Sequence, residues 1–181
     1  MNTYIALLRG INVGGRNKLR MPELVALLED LGLHNINTYI QSGNVVFQSS
    51  PIDEQALAED ISAAIGRHRG FTPQVLVLSR DEFRQAWAGN PFPEAESAPK
   101  TVHLYFLAAP ATDPDLDILA AFQKENERFL LTDAVFYLHA PDGIGRSKLA
   151  ERVEKALGIP ATARNWRTVG KIMVLVMEVA N

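Results

Sequence analysis

Residues 36–48 read I-N-T-Y-I-Q-S-G-N-V-V-F-Q, and this stretch decides the fold. Ile36 to Gln41 and Val45 to Gln48 are short runs rich in β-branched and aromatic residues. Ser42-Gly43-Asn44 between them has a composition that favours positive φ, so the stretch predicts a β-hairpin. Upstream, Thr3 to Arg9 (T-Y-I-A-L-L-R) is apolar on both alternating faces, as in a central strand covered on both sides. Pro22 suits the first residue of a helix in which Leu24, Leu27, Leu28 and Leu31 form an i, i+3, i+4, i+7 stripe closed by Gly32. Downstream, a helix is expected from about Asp53 to His68, with Leu57, Ile61, Ala64 and Ile65 inward, then a strand from Gln74 to Leu78. The order is βαββαβ, that of the ferredoxin-like plait.

The second half echoes the first. Thr101 to Leu107 is another doubly apolar strand, followed by a helix opened by Asp113-Pro114 that carries Leu116, Leu119 and Phe122. Phe129 to Leu131 and Val135 to Leu138 form a second hairpin, and Leu149, Val153, Ala156 and Leu157 mark a helix ending at Gly158. Arg164 to Val179 suits a helix, with Arg164, Arg167, Thr168 and Lys171 on one face and Val169, Ile172, Met173 and Val176 on the other. Ile172 to Val176 also fits a buried strand that would complete a second plait, but the two-faced pattern favours helix. The fold class expected is therefore α+β, two ferredoxin-like subdomains and a C-terminal helix. Ser79-Arg80-Asp81-Glu82 has capping-box spacing and opens a short connector helix with Phe83, Ala86 and Trp87 on one side, broken at Asn90-Pro91-Phe92-Pro93. The expected division, near Gly89 to Pro99, is residues 1–89 and 90–181.

The chain has 181 residues, 47% of them hydrophobic, which is ample for burying a core. It has no cysteine, so disulfides, thiolate metal sites and cysteine nucleophiles are all excluded. No run approaches the roughly 20 apolar residues that cross a bilayer, and the chain starts directly in a strand, so a cytoplasmic protein with no membrane partner is expected. A net charge of −3 hides a split. Met1 to Pro22 carry Arg9, Arg16, Lys18 and Arg20 with no acid; Glu23 to Ala140 carry seven basic and seventeen acidic residues; Pro141 to Asn181 carry seven basic and four acidic. Basic ends on an acidic body point to a local site for an anion.

Three segments carry that chemistry. Arg9 to Met21 (R-G-I-N-V-G-G-R-N-K-L-R-M) links a strand end to a helix start; Gly14 and Gly15 let a ligand approach the backbone, Arg9, Arg16, Lys18 and Arg20 supply charge, and Asn12 adds a neutral donor. A P-loop overlay from Gly10 through Gly15 fails, because Arg16 stands where the lysine belongs and Asn17 where the magnesium-binding hydroxyl belongs. In the second segment, Gly143 to Lys148, Gly145 shapes a turn, Ser147 is a candidate N-cap for the following helix, and free backbone donors would lie beside Arg146 and Lys148. The third contains Arg164, Asn165, Arg167 and Lys171 near Trp166, which is read as core. Gln41, Ser42 and Asn44 at the hairpin turn can serve as neutral ligand contacts or simple turn formers. Each basic segment also has a plain reading, as a glycine-shaped connection whose cations are solvated or paired with the acidic middle of the chain.

Other groups lack a constellation. His34, His68, His103 and His139 have no metal-ligand spacing, Asp53, Glu54, Glu59 and Asp60 suit a solvated helix start, and no G-x-S-x-G elbow occurs.

Five stretches taken together carry a family resemblance: A-L-L-R-G-I-N-V-G-G-R-N-K-L-R-M (6–21), T-Y-I-Q-S-G-N-V-V-F (38–47), N-P-F-P (90–93), G-I-G-R-S-K-L (143–149) and T-A-R-N-W-R-T-V (162–169). The chain resembles the bacterial family known as domain of unknown function 1697. The resemblance implies two ferredoxin-like subdomains and brings no established activity, substrate, cofactor or catalytic residue. The leading expectation is a binding protein whose three basic segments converge, in a cleft between the subdomains, on one phosphate-bearing anion. The alternatives are a nucleic-acid-binding protein, opposed by a pI near 5.8, an enzyme acting on a phosphorylated or carboxylate substrate, and an interaction protein with no small ligand. No cofactor and no oligomeric state is read from the sequence.

Overall fold

The computed structural model describes residues 1–179. The chain divides into two compact units, Met1–Gln85 together with the chain from Lys171 on, and Ala86–Gly170.

The first unit contains β1 (Asn2–Arg9), α1 (Met21–Asp30), β2 (His34–Tyr39), β3 (Asn44–Ser49), α2 (Glu54–Arg69) and β4 (Gln74–Ser79). Its antiparallel sheet has the order β2-β3-β1-β4, as a ferredoxin-like plait requires. Tyr4, Ala6 and Leu8 of β1, with Val45 and Phe47 of β3, pack against Leu24 and Leu28 of α1 and Leu57, Ile61 and Ile65 of α2. Ile5, Leu7 and Val46, on the opposite face, are equally excluded from solvent, which is why β1 lacks the alternation of a half-exposed strand. Asp53 caps α2 by accepting the Ala56 N–H at 2.9 Å, and Gly70 closes it at φ +77°. The register pairs Leu7 with Asn44 and Arg9 with Gln74. The end of β1 and the turn into β3 therefore lie at the same end of the sheet.

Next comes α3 (Arg80–Ala88), whose Glu82 carboxylate accepts from Ser79 N–H and Oγ at 2.8 and 2.6 Å, as the capping-box spacing predicts. The second unit continues with β5 (Val102–Leu107), α4 (Leu116–Phe122), β6 (Arg128–Leu131), β7 (Val135–His139), α5 (Val153–Leu157) and β8 (Ala161–Asn165) in the sheet order β6-β7-β5-β8. The last helix is α6 (Trp166–Val179).

Three expectations are corrected here. Ala161–Asn165 is a strand, paired with β5 from His103↔Asn165 to Leu107↔Ala161. It fills the edge position of the second sheet, so residues 172–176 are not needed as a strand and are helical, and Arg164 belongs to β8 and not to the helix. Second, α4 does not open at Asp113-Pro114. Asp113 sits at φ +56°, and Asp115 is the cap, accepting the Ile118 N–H at 3.0 Å; Leu116, expected inside, is 40% exposed. Third, Leu149 to Leu157 is not one helix. A 3₁₀ turn at Ala150–Arg152 precedes α5, which begins only at Val153.

Candidate functional site

Between β1 and α1 the chain forms a miniature hairpin. Val13 and Arg16 form an isolated antiparallel bridge, and Gly14 and Gly15 between them sit at φ +57° and +75°. Positive φ at both central positions is the requirement of a type I′ turn, which glycine meets without steric cost. The Asn12 N–H donates to Asn17 O at 3.0 Å and the Arg16 N–H to Val13 O at 3.0 Å. Asn12 anchors the base. Its side-chain amide donates to Leu19 O at 2.8 Å and to Gln41 O at 2.7 Å, and accepts the Leu19 N–H at 2.9 Å. Asn17 Nδ2 donates to Gly10 O at 2.8 Å. Ile11 and Leu19 are buried beneath the hairpin, while Val13 at its tip is 66% exposed.

The turn between β2 and β3 is attached to the same structure. Beyond the Gln41 carbonyl, Leu8 N donates to Gly43 O at 2.8 Å. Gly43 lies so close to β1 that an added Cβ would sit 2.5 Å from Leu8 Cβ and 3.0 Å from Ile11 Cδ1. Asn44 is 1% exposed and donates to Tyr39 O at 3.1 Å and Ser42 Oγ at 2.9 Å. The structure thus joins the Arg9–Arg20 loop to the turn at Gln41, Ser42 and Asn44, two segments remote in sequence. It also assigns inward tasks to Asn12 and Asn44, whose amides brace loops; Gln41 and Ser42 lie nearer the surface.

Charge is distributed unevenly over this end of the unit. Arg20 donates through Nη2 to Glu23 Oε1 at 3.1 Å, and Glu23 Oε2 accepts the Arg20 N–H at 3.2 Å. Arg69, in the last turn of α2, donates to Lys18 O at 3.1 Å and lies 3.5 Å from Glu23. The Arg20 backbone N–H, the Arg20 side chain and the Arg69 charge hold the Glu23 carboxyl below its usual range. Arg9 reaches Gln74 Oε1 at 3.2 Å. Arg16 and Lys18 are exposed and take part in no ion pair among the described residues. Arg69 is the residue that sequence reading missed. Its signal was the run R-H-R-G at the end of the second helix, which adds cations beside the loop.

The Gly143–Lys148 segment, in the second unit, has a different construction from the one expected. It is a 3₁₀ turn, Ile144–Arg146, in which Arg146 N–H donates to Gly143 O and Ser147 N–H to Ile144 O, each at 3.1 Å. Ser147 is 1% exposed, and its Oγ accepts the Ala150 N–H at 3.1 Å. It caps a 3₁₀ turn and no α-helix; of the backbone donors expected to be free beside Arg146 and Lys148, those of Arg146 and Ser147 are engaged within the turn. Gly145, Arg146 and Lys148 stay exposed; Asp142, beside Arg146, pairs with Lys124 at 3.3 Å.

Arg164 is half-buried on β8 and donates through Nη1 to Ala163 O at 2.8 Å; burial lowers its guanidinium to about 10. Asn165 caps α6 by accepting the Thr168 N–H at 2.9 Å, and Thr168, expected on the cationic face, is buried. Arg167 and Lys171 are exposed. Trp166 is core, as read, and stacks on Trp87 at 3.8 Å between centroids. Of the third segment's expected cationic face, Arg167 and Lys171 alone are exposed on the helix.

The model of the family described as protein of unknown function (DUF1697) matches residues 1–137. The solved structure of conserved bacterial protein SP0830 from Streptococcus pneumoniae is 26% identical, covers 98% of this chain and 99% of that one, and superposes with a TM-score of 0.69. No curated protein matches the chain. No described helix is long and apolar enough to cross a membrane.

Proposed function

This chain belongs to the DUF1697 family, and from that premise we propose that its first unit binds a phosphate-bearing anion on the basic hairpin at residues 12–17 and the turn at 40–43 beside it. The observation that carries this reading is the pairing of a braced backbone with unpaired charge. Asn12 fixes the hairpin at three points, while Arg16 and Lys18 project from it exposed and without ion-pair partners among the described residues. An added Cβ at Gly14 or Gly15 would meet nothing within 4 Å, so the backbone at the tip is open to close approach by a ligand. A rigid loop also loses less conformational freedom on binding than a floppy one.

The chemistry offered is recognition. Arg16 supplies a planar fork suited to phosphate oxygens, Lys18 a compact charge, and the Gln41 side chain a neutral donor. Because the cations stand on a protruding hairpin, the phosphates of a polynucleotide form a second reading.

A thermal-shift series with inorganic phosphate, pyrophosphate, nucleotides and short oligonucleotides tests both. A small phosphate ligand raises the melting temperature of the native protein, and Arg16→Ala with Lys18→Ala removes the shift. If only oligonucleotides bind, with an affinity that falls steeply as salt rises, the second reading holds. If none of these anions binds, or the double variant binds as the native protein does, the proposal fails.

A further inference from the structure

A different feature lies in the second unit. A cleft of about 400 Å³ is lined by Ala98, Pro99, Lys100, Thr101 and Arg167, within the range of roughly 300–1,000 Å³ typical of small-molecule sites. The carbonyls of Ala98, Pro99 and Thr101 are already engaged. Ala98 O accepts the Thr101 N–H at 2.9 Å and Thr101 Oγ1 at 2.8 Å, Pro99 O accepts the Arg167 N–H at 3.3 Å, and Thr101 O accepts the Ala140 N–H at 2.8 Å. The lining is predominantly apolar, and two of the residues that contribute to it, Lys100 and Arg167, are exposed cations outside every ion pair among the described residues.

The charge has a second source. Arg167 stands in the first turn of α6, a 14-residue helix whose start is capped by Asn165, and the positive end of a helix dipole favours an anion there. The wall is stiff as well. Trp166, the neighbour of Arg167, is buried and stacked on Trp87 with an 11° interplanar angle, and Pro99 has a fixed φ.

We propose that this cleft binds an amphipathic carboxylate, its apolar chain or ring against Ala98, Pro99 and Thr101 and its carboxylate between Lys100 and Arg167. An inorganic anion would leave the apolar wall uncovered, and a neutral apolar molecule would leave both cations unmatched. The site is independent of the basic hairpin in the first unit, and the two succeed or fail separately.

Isothermal titration of the full chain with octanoate, below its micellar concentration, is the test, with acetate and 1-octanol as controls. Octanoate binds with one-to-one stoichiometry, and acetate binds weaker by on the order of tenfold or more, since it has almost no apolar surface to bury. Arg167→Ala and Lys100→Ala each weaken octanoate by about fivefold, the size of one exposed charge interaction. Ala98→Phe, which fills the cleft and keeps both charges, abolishes binding; if that variant does not fold, the two charge variants and the octanoate-to-acetate ratio decide. Equal binding of acetate and octanoate, many-site binding, unchanged affinity in both charge variants, or loss of octanoate binding in Arg16→Ala overturns the proposal.

Discussion

Replacing Gly43 by alanine puts a methyl group where the end of β1 leaves no room. The added Cβ would lie 2.5 Å from Leu8 Cβ, 3.0 Å from Ile11 Cδ1 and 3.4 Å from Leu8 Cα, against an optimal carbon separation of about 3.5–4.0 Å. Leu8 is 1% exposed on a central strand bonded on both sides, so the overlapped atom cannot swing away as a side-chain end would. Overpacking of this sort costs about 1–3 kcal/mol, and a non-glycine residue at φ +74° costs a further 1–2 kcal/mol or so. The expected destabilisation is about 3 kcal/mol. Gly15 is the control, because it has nearly the same φ, +75°, and nothing within 4 Å; Gly15→Ala then costs only the backbone share, about 1 kcal/mol. Urea denaturation of both variants reads the difference, about 2 kcal/mol, as a midpoint separation on the order of 1–2 M. Equal midpoints for the two variants would refute the close packing of the turn on β1, and with it the support beneath the basic loop.

Two further predictions concern groups held inside each unit. Asn12→Ala removes three hydrogen bonds at the base of the hairpin and lowers stability by about 2 kcal/mol, with faster amide exchange at Leu19; unchanged stability and exchange would show that the amide is not the brace. His103 is 7% exposed on β5, and burial lowers its imidazole to about 4. The folded value lies below the ordinary 6.5, so the neutral ring favours the native state above pH 6.5, and that stabilisation is lost as pH falls from 6.5 towards 4. The loss from this group between pH 7 and 4.5 is about 2 kcal/mol. His103→Leu flattens the stability profile across that window, whereas a profile parallel to the native one would contradict the burial.

Much of the fold was legible because the plait has strong signals. A hairpin turn at Ser42-Gly43-Asn44, leucine stripes at helical spacing and strands apolar on both faces set the order of elements. What escaped was weakly patterned. Ala161–Asn165 (A-T-A-R-N) is a short edge strand of small and polar residues, and its Arg164 falls by coincidence at helical spacing from Arg167 and Lys171, which drew the helix too far towards the N-terminus. The start of α4 turned on which of two aspartates, Asp113 or Asp115, accepts an N–H, a choice that only the backbone geometry settles.

The candidate site was legible in composition and less so in role. Glycines and cations marked the Arg9–Arg20 loop and the Gly143–Lys148 turn alike, since both fit a motif written in residue types. The first is a braced hairpin with open glycines; the second is a closed 3₁₀ turn with a buried serine. Asn12 reads in sequence as a donor to a ligand and in the structure donates to Leu19 and Gln41, because an amide's partner is set by which way the loop folds. Arg69 escaped because its proximity to Lys18 and Glu23 is a tertiary fact.

The most direct test of the proposed anion site is a ¹⁵N-resolved NMR titration of the full chain with pyrophosphate at low salt. Saturable shifts concentrated at the amides of Val13 to Lys18 and Gln41, and absent in the Arg16→Ala, Lys18→Ala double variant, are the predicted result. Shifts spread over other basic surfaces with these amides unmoved, or no saturable shift at all, would contradict it.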